Sequence, residues 1–199
     1  MKRIFMLTAL LAGTVTLPAR AAISPGDAAP DFQAQASLAG KEFTFSLKEA
    51  LTKGPVVIYF YPAAFTQGCN IQAHTFAENH DKFAAAGATV IGVSLDSIAR
   101  LNDFSSDPQY CAGKLPVASD ASGAIAKSYG IKIIDSYAGK AAATLKDSRG
   151  TEIGHSFAER ITFIIVPGSK VTASIGGLSP TENVMMTLAA VQQLAPAKK

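Results

Sequence analysis

Between Pro55 and Pro62 the chain reads Val56-Val57-Ile58-Tyr59-Phe60-Tyr61. The run has no polar alternation and starts on β-branched residues, so it suits a strand buried on both faces. Positions 69, 73, 76, 80, 83 and 84, apolar or small apart from His80, then mark one helical face, which ends at Gly87. Thr89 to Val93 reads as a second buried strand. Two such strands joined by a helix imply a parallel crossover, with helices covering both faces of the sheet.

Other elements extend this unit. Phe32 to Ser46 reads as an N-terminal β-hairpin turning at Ala39-Gly40, and Ile98 to Phe104 reads as a helix. Leu115 to Ala118 is a short strand, and Ser122 to Tyr129 a short helix stopped by Gly130. Ile161 to Val166 and Lys170 to Ile175 form a second hairpin across Pro167-Gly168. Ser179-Pro180 starts a last helix reaching about Leu194. Ala138 to Glu159 is polar and poorly periodic, as expected of a long loop or hairpin arm. The fold class is α/β: a mixed central β-sheet flanked by helices.

The N-terminus has the pattern of a secretory signal. Lys2 and Arg3 precede an apolar run from Ile4 to Leu17, and Ala19-Arg20-Ala21 supplies small residues at a cleavage site. The run is short for a membrane span. The expectation is cleavage of residues 1–21, one domain over 22–199, and a periplasmic or secreted location. The leader holds three of the 18 basic residues and none of the 15 acidic ones, leaving 15 of each. That balance gives no electrostatic case for nucleic-acid or membrane-surface binding. Of the two cysteines, Cys69 and Cys111, the pair in an oxidising compartment commonly forms one structural disulfide. The setting of Cys69 decides between staple and nucleophile.

Cys69 follows a strand by a short loop and opens a helix. A thiol there faces unpaired backbone N–H groups and the positive end of the helix dipole, which favour thiolate, the nucleophilic form. Thr66 lies three residues earlier, where its hydroxyl can reach back to the sulfur. Pro62 can wall the pocket against water. Arg160 stands at the edge of a buried strand, where a charge needs a partner. Taken alone, Cys69 also fits a buried inert thiol, and Arg160 a solvated strand cap.

Pro62, Thr66 and Cys69 match the Pro-x-x-x-Thr-x-x-Cys motif, and the chain resembles a peroxiredoxin. The resemblance is to the bacterioferritin-comigratory, or Q-type, branch. It extends through Gly26 to Phe32, Phe60-Tyr61, Gly92-Val93-Ser94, Ser119-Asp120 and Arg160 to Ile165. It implies a thioredoxin-like fold and a peroxidatic Cys69. It also implies an Arg160 beside the thiolate that stabilises charge on the peroxide oxygens. Many members of the branch carry a second cysteine five residues after the first; here that position is His74, and Gln72 stands where a glutamate is common. Cys111 is then the candidate resolving cysteine within the chain, as in some related peroxiredoxins, with an unpaired structural thiol as the alternative. His74 reads as a solvated residue, His80 as a packed core histidine, and His155 has no visible partner. None has zinc-site spacing.

The resemblance further implies a cycle without metal, haem or flavin. Hydrogen peroxide or an organic hydroperoxide oxidises Cys69 to a sulfenic acid, and Cys111 or an external thiol condenses with it. A thioredoxin-like partner restores the thiols, and the assembly is a monomer or homodimer. A thiol–disulfide oxidoreductase would need Cys-x-x-Cys, but Thr66 fills its first position. An exported copper-binding protein on the same fold would need two cysteines a few residues apart, and Gln72 and Ala73 fill the nearby slots.

Overall fold

A computed structural model describes residues 22–195. The signal-peptide reading, residues 1–21, falls outside them. The N-terminal hairpin pairs β1 (Gln33–Leu38) with β2 (Lys41–Ser46). Both turn residues lie at positive φ, Ala39 at 52° and Gly40 at 76°. This primed geometry matches the twist of paired strands. Ser46 then caps the short helix α1 (Leu47–Leu51), its side chain accepting from the Glu49 N–H.

The crossover predicted from the apolar run forms the centre. All five residues of β3 (Val56–Phe60) are buried. The strand pairs in parallel with β4 (Thr89–Ser94), which pairs in parallel with β5 (Val117–Ser119). The helix between β3 and β4 is two helices rather than one: α2 (Gln67–Glu78) and α3 (His80–Ala85). The Asn79 side-chain amide donates to the Thr75 carbonyl at this break, competing with the helical pattern. The break turns His80 away from the core, correcting the sequence expectation. Its side chain is 40% exposed and lies 3.2 Å from Asp81.

The helix after β4 is α4 (Ile98–Ser106), capped by Ser97, and α5 (Ala124–Ser128) follows β5. β10 (Ile161–Val166) runs antiparallel to β3, and β11 (Lys170–Gly176) closes that edge. Between them and α5 lies the arm. It is built from β6 (Ile133–Ile134), β7 (Ser136–Tyr137), β8 (Lys140–Ala141), a 3-10 turn at Ala142–Thr144, and β9 (Phe157–Ala158). The last helix, α6 (Pro180–Leu194), opens with a full capping box between Ser179 and Glu182. The seven-stranded sheet has the order β11-β10-β3-β4-β5-β1-β2.

Alternation along β3 feeds two cores. Val56, Ile58 and Phe60 face α1 and α5; Val57 and Tyr59 face α2, α3, α4 and α6. The second core contains both cysteines. Gly92 is required at its position, because a Cβ there would meet the Tyr59 ring at 2.5 Å. A small apolar group of Ala63, Ala142, Ile153 and Phe157 seats the arm against the loop before α2. The arm thus packs on the segment that carries Pro62 and Thr66.

Candidate active site

The site forms where β3 ends and α2 begins. Thr66 is the N-cap of α2 and Cys69 lies in its first turn. No side chain caps this helix end, so its first amides point outward without a side-chain acceptor. Cys69 is only 2% exposed and is a free thiol, and Pro62 and Thr66 are half-buried. The preceding residue, Phe65, holds φ at 60°, rare for a side chain with a Cβ.

Arg160, just ahead of β10, reaches across to this end. Its Nη2 lies 3.4 Å from the Cys69 sulfur. Its Nη1 donates to the Gln72 side-chain oxygen. No carboxylate among the described residues pairs with Arg160, so its charge is directed at the sulfur.

The orientation of Gln72 is fixed from behind. The Asn183 amide donates to the Ile175 carbonyl at 3.0 Å, an acceptor only, which turns Asn183 Oδ1 outward. That oxygen accepts from Thr162 at 2.7 Å and from Gln72 Nε2 at 3.0 Å. Gln72 therefore presents its oxygen to Arg160. Gln72, Thr162 and Asn183 are all buried, where an unpaired amide would cost about 1–3 kcal/mol. Thr162 and Asn183 were not found in the sequence; a polar residue in each of two apolar stretches was their only signal.

The other candidate residues are placed as follows. The Thr66 hydroxyl donates to the Ala63 carbonyl at 2.9 Å rather than to the sulfur, so its lone pairs are what it offers to a ligand. Cys111 is a fully buried free thiol in the turn after α4. Burial above all, with Asp107 adding to it, pushes this thiol well above its ordinary range. The turn is better pinned than its composition suggests: Ala112 and Gly113 donate to Asp107 and Ser105, and Lys114 and Leu115 to Cys111. Tyr110 stacks on Phe104, and both meet Phe65 edge-on at 5.8 and 5.0 Å. The turn holding Cys111 thus touches the loop before Cys69. His74 is 49% exposed and pairs with Glu78, as expected of a solvated residue. His155, expected to have no partner, lies 2.9 Å from Asp96.

The AhpC/TSA family profile matches residues 25–174. The chain belongs to the AhpC/TSA family. It is similar to the chloroplastic peroxiredoxin Q of Oryza sativa subsp. japonica, 36% identical over 143 residues that cover 64% of this chain and 62% of that protein. The chloroplastic 2-Cys peroxiredoxin BAS1 of Hordeum vulgare is 31% identical, over 55% of this chain and 54% of its own length. The chain thus spans less than two thirds of these relatives. Among solved structures, peroxidoxin BcpB from Mycobacterium tuberculosis superposes with a TM-score of 0.71 at 27% identity, covering 87% of this chain and 99% of that one. The thioredoxin-like fold and the family resemblance read from the sequence are both borne out.

Gly68 is a residue of this AhpC/TSA site that the motif passes over. A Cβ at Gly68 would lie 3.2 Å from Arg160 Nη2 and 3.5 Å from Pro180. Glycine in a helix costs about 0.5–1 kcal/mol against alanine. Gly68→Ala is expected to stabilise α2 while moving the guanidinium off the sulfur. Thermal unfolding should shift upward or stay level, while the alkylation rate of the Cys69 thiolate falls about tenfold.

Proposed function

We propose that this chain is a thiol-dependent peroxidase that reduces hydrogen peroxide and organic hydroperoxides through Cys69. The observation that carries the reading is the Arg160 guanidinium 3.4 Å from the Cys69 sulfur at an uncapped helix start. The thiolate attacks one peroxide oxygen, the O–O bond breaks, and water or an alcohol leaves with a proton. Cys69 becomes a sulfenic acid. Arg160, the Thr66 hydroxyl and the amides of Gly68 and Cys69 hold the peroxide and its developing charge. Pro62 shields the sulfur from water. No step calls for a metal or an organic cofactor. The leader at residues 1–21 supports an exported, periplasmic or secreted enzyme, acting as monomer or homodimer with a thioredoxin-like reductant. Peroxide consumption by wild type with a supplied dithiol tests the reading; a rate equal to that of the dithiol alone rejects it.

Cys111 serves as the resolving cysteine. Its thiol condenses with the sulfenic acid, releasing water and forming a Cys69–Cys111 disulfide, which the reductant's dithiol then reduces. The bond requires the Ser105–Gly113 turn to open locally, and Tyr110 against Phe65 links that opening to the start of α2. One equivalent of peroxide should give a cross-linked peptide pair by mass spectrometry. A persistent sulfenic or over-oxidised Cys69 beside a free Cys111 would make the enzyme dependent on an external thiol.

A further inference from the structure

The loop that precedes Cys69 is held by a buried charge network that neither the motif nor the proposed reaction uses. The Ala64 N–H donates to Asp96 Oδ2 at 2.7 Å, and the Ala64 carbonyl accepts from Arg100 Nη2 at 2.9 Å. The Phe65 carbonyl accepts from the N–H and hydroxyl of Ser148 at 2.9 and 2.7 Å. The Arg149 guanidinium lies over the Phe65 ring, 3.3 Å from its centre. Together these contacts fix both ends of the residue at positive φ, immediately before Thr66.

His155 joins the network at Asp96. The side chains of Asp96 and Asp147 are fully buried, and Arg100, 10% exposed, lies 2.8 Å from a carboxylate oxygen of each. The Arg100 Nε contact to Asp96 is close in charge but poorly aligned for a hydrogen bond. Arg149 Nε also lies 3.2 Å from Asp147 Oδ2, so two arginines face the two buried carboxylates. His155 adds a third basic group, on Asp96. Its Nε2 faces Asp96 Oδ1 at 2.9 Å and its Nδ1 faces the Ser156 carbonyl at 2.7 Å. Both partners are acceptors, so both ring nitrogens must carry protons. The other groups around it are Arg100 and the Phe157 ring, with Asp147 and Arg149 one contact further out.

We propose that His155 in its doubly protonated form is a positioning residue, acting through Asp96 and Arg100 to fix the Ala64–Thr66 backbone and so the peroxide-binding end of α2. The inference deepens the peroxidase reading and rests on it for its kinetic consequence. Burial alone lowers the His155 pKa, but the Asp96 hydrogen bond and charge, with the Ser156 carbonyl, raise it above the ordinary 6.5. The stabilisation is therefore complete below about pH 6.5 and is lost as pH rises through the raised value.

The test compares wild type with His155→Gln from pH 6 to pH 9. Dividing the two rates of Cys69 oxidation by peroxide cancels the pH dependence they share. The wild-type to variant ratio is expected near tenfold at pH 6 and near one at pH 9. Proton NMR of the wild type should place the His155 titration above 6.5. A ratio flat with pH, or a His155 that titrates at or below 6.5, overturns the proposal. If wild type consumes no peroxide, the peroxidase reading fails, and iodoacetamide alkylation of Cys69 tests the loop by itself. The variant should then react faster than wild type at pH 6 and equally at pH 9; equal rates throughout overturn the proposal.

Discussion

Replacing Cys69 with serine is expected to abolish peroxide consumption, lowering the rate by at least about 10³-fold. The substitution is nearly isosteric, and the new hydroxyl sits in the same contact with Arg160 Nη2. Stability should change by no more than about 1–2 kcal/mol. The loss would therefore be chemical: a serine hydroxyl stays protonated where a thiol can ionise, and oxygen lacks the nucleophilicity of sulfur toward peroxide. Cys111 cannot take over, because it is fully buried and its thiol is pushed away from ionisation. Near-UV circular dichroism of the variant should match wild type while peroxide depletion falls to the level of the reductant alone. Retained activity would remove Cys69 from the reaction.

Arg160→Ala is expected to slow Cys69 oxidation by about 10²–10³-fold, the usual cost of losing one donor aimed at developing charge. The guanidinium does two things at once, facing the sulfur with Nη2 and donating to Gln72 with Nη1. Alanine removes the first and leaves the buried Gln72 oxygen unpaired, for an added stability loss of about 1–3 kcal/mol. Arg160→Lys should recover only part of the rate, because one ammonium cannot span both partners as a planar fork does. Stopped-flow oxidation of the three proteins separates these effects. Equal rates for alanine and arginine would place Arg160 outside the site.

The parts of this molecule legible in the sequence are those set by neighbours in the chain. The Val56–Phe60 strand, the Ala39-Gly40 hairpin turn and the Ser179-Pro180 helix start each follow from local patterning and turn or cap chemistry. Pro62, Thr66 and Cys69 lie within one short loop and helix start, so their proximity needs no tertiary information. What stayed hidden depends on contacts across long sequence separations. His155 meets Asp96 from 59 residues away, and Ser148 reaches the Phe65 carbonyl from 83. Gln72 and Asn183 are 111 residues apart and join α2 to α6. Hydrophobic periodicity reports which face of an element is buried, not which polar group it meets there. The break at Asn79 was missed for a related reason: the apolar spacing continues through it, while the side-chain bond to Thr75 ends the helix. The arm from Ala138 to Glu159 gave no periodicity because its strands, β8 and β9, are two residues long.

The central claim, that Cys69 is the nucleophile at a peroxide site built by Arg160 and the start of α2, has a direct chemical readout. In Cys111→Ser protein the sulfenic acid has no internal thiol to condense with and persists long enough to be trapped. Treatment with one equivalent of hydrogen peroxide in the presence of dimedone, followed by peptide mass spectrometry, should place a single dimedone adduct on Cys69. An unmodified Cys69 under conditions that consume the peroxide would contradict the account.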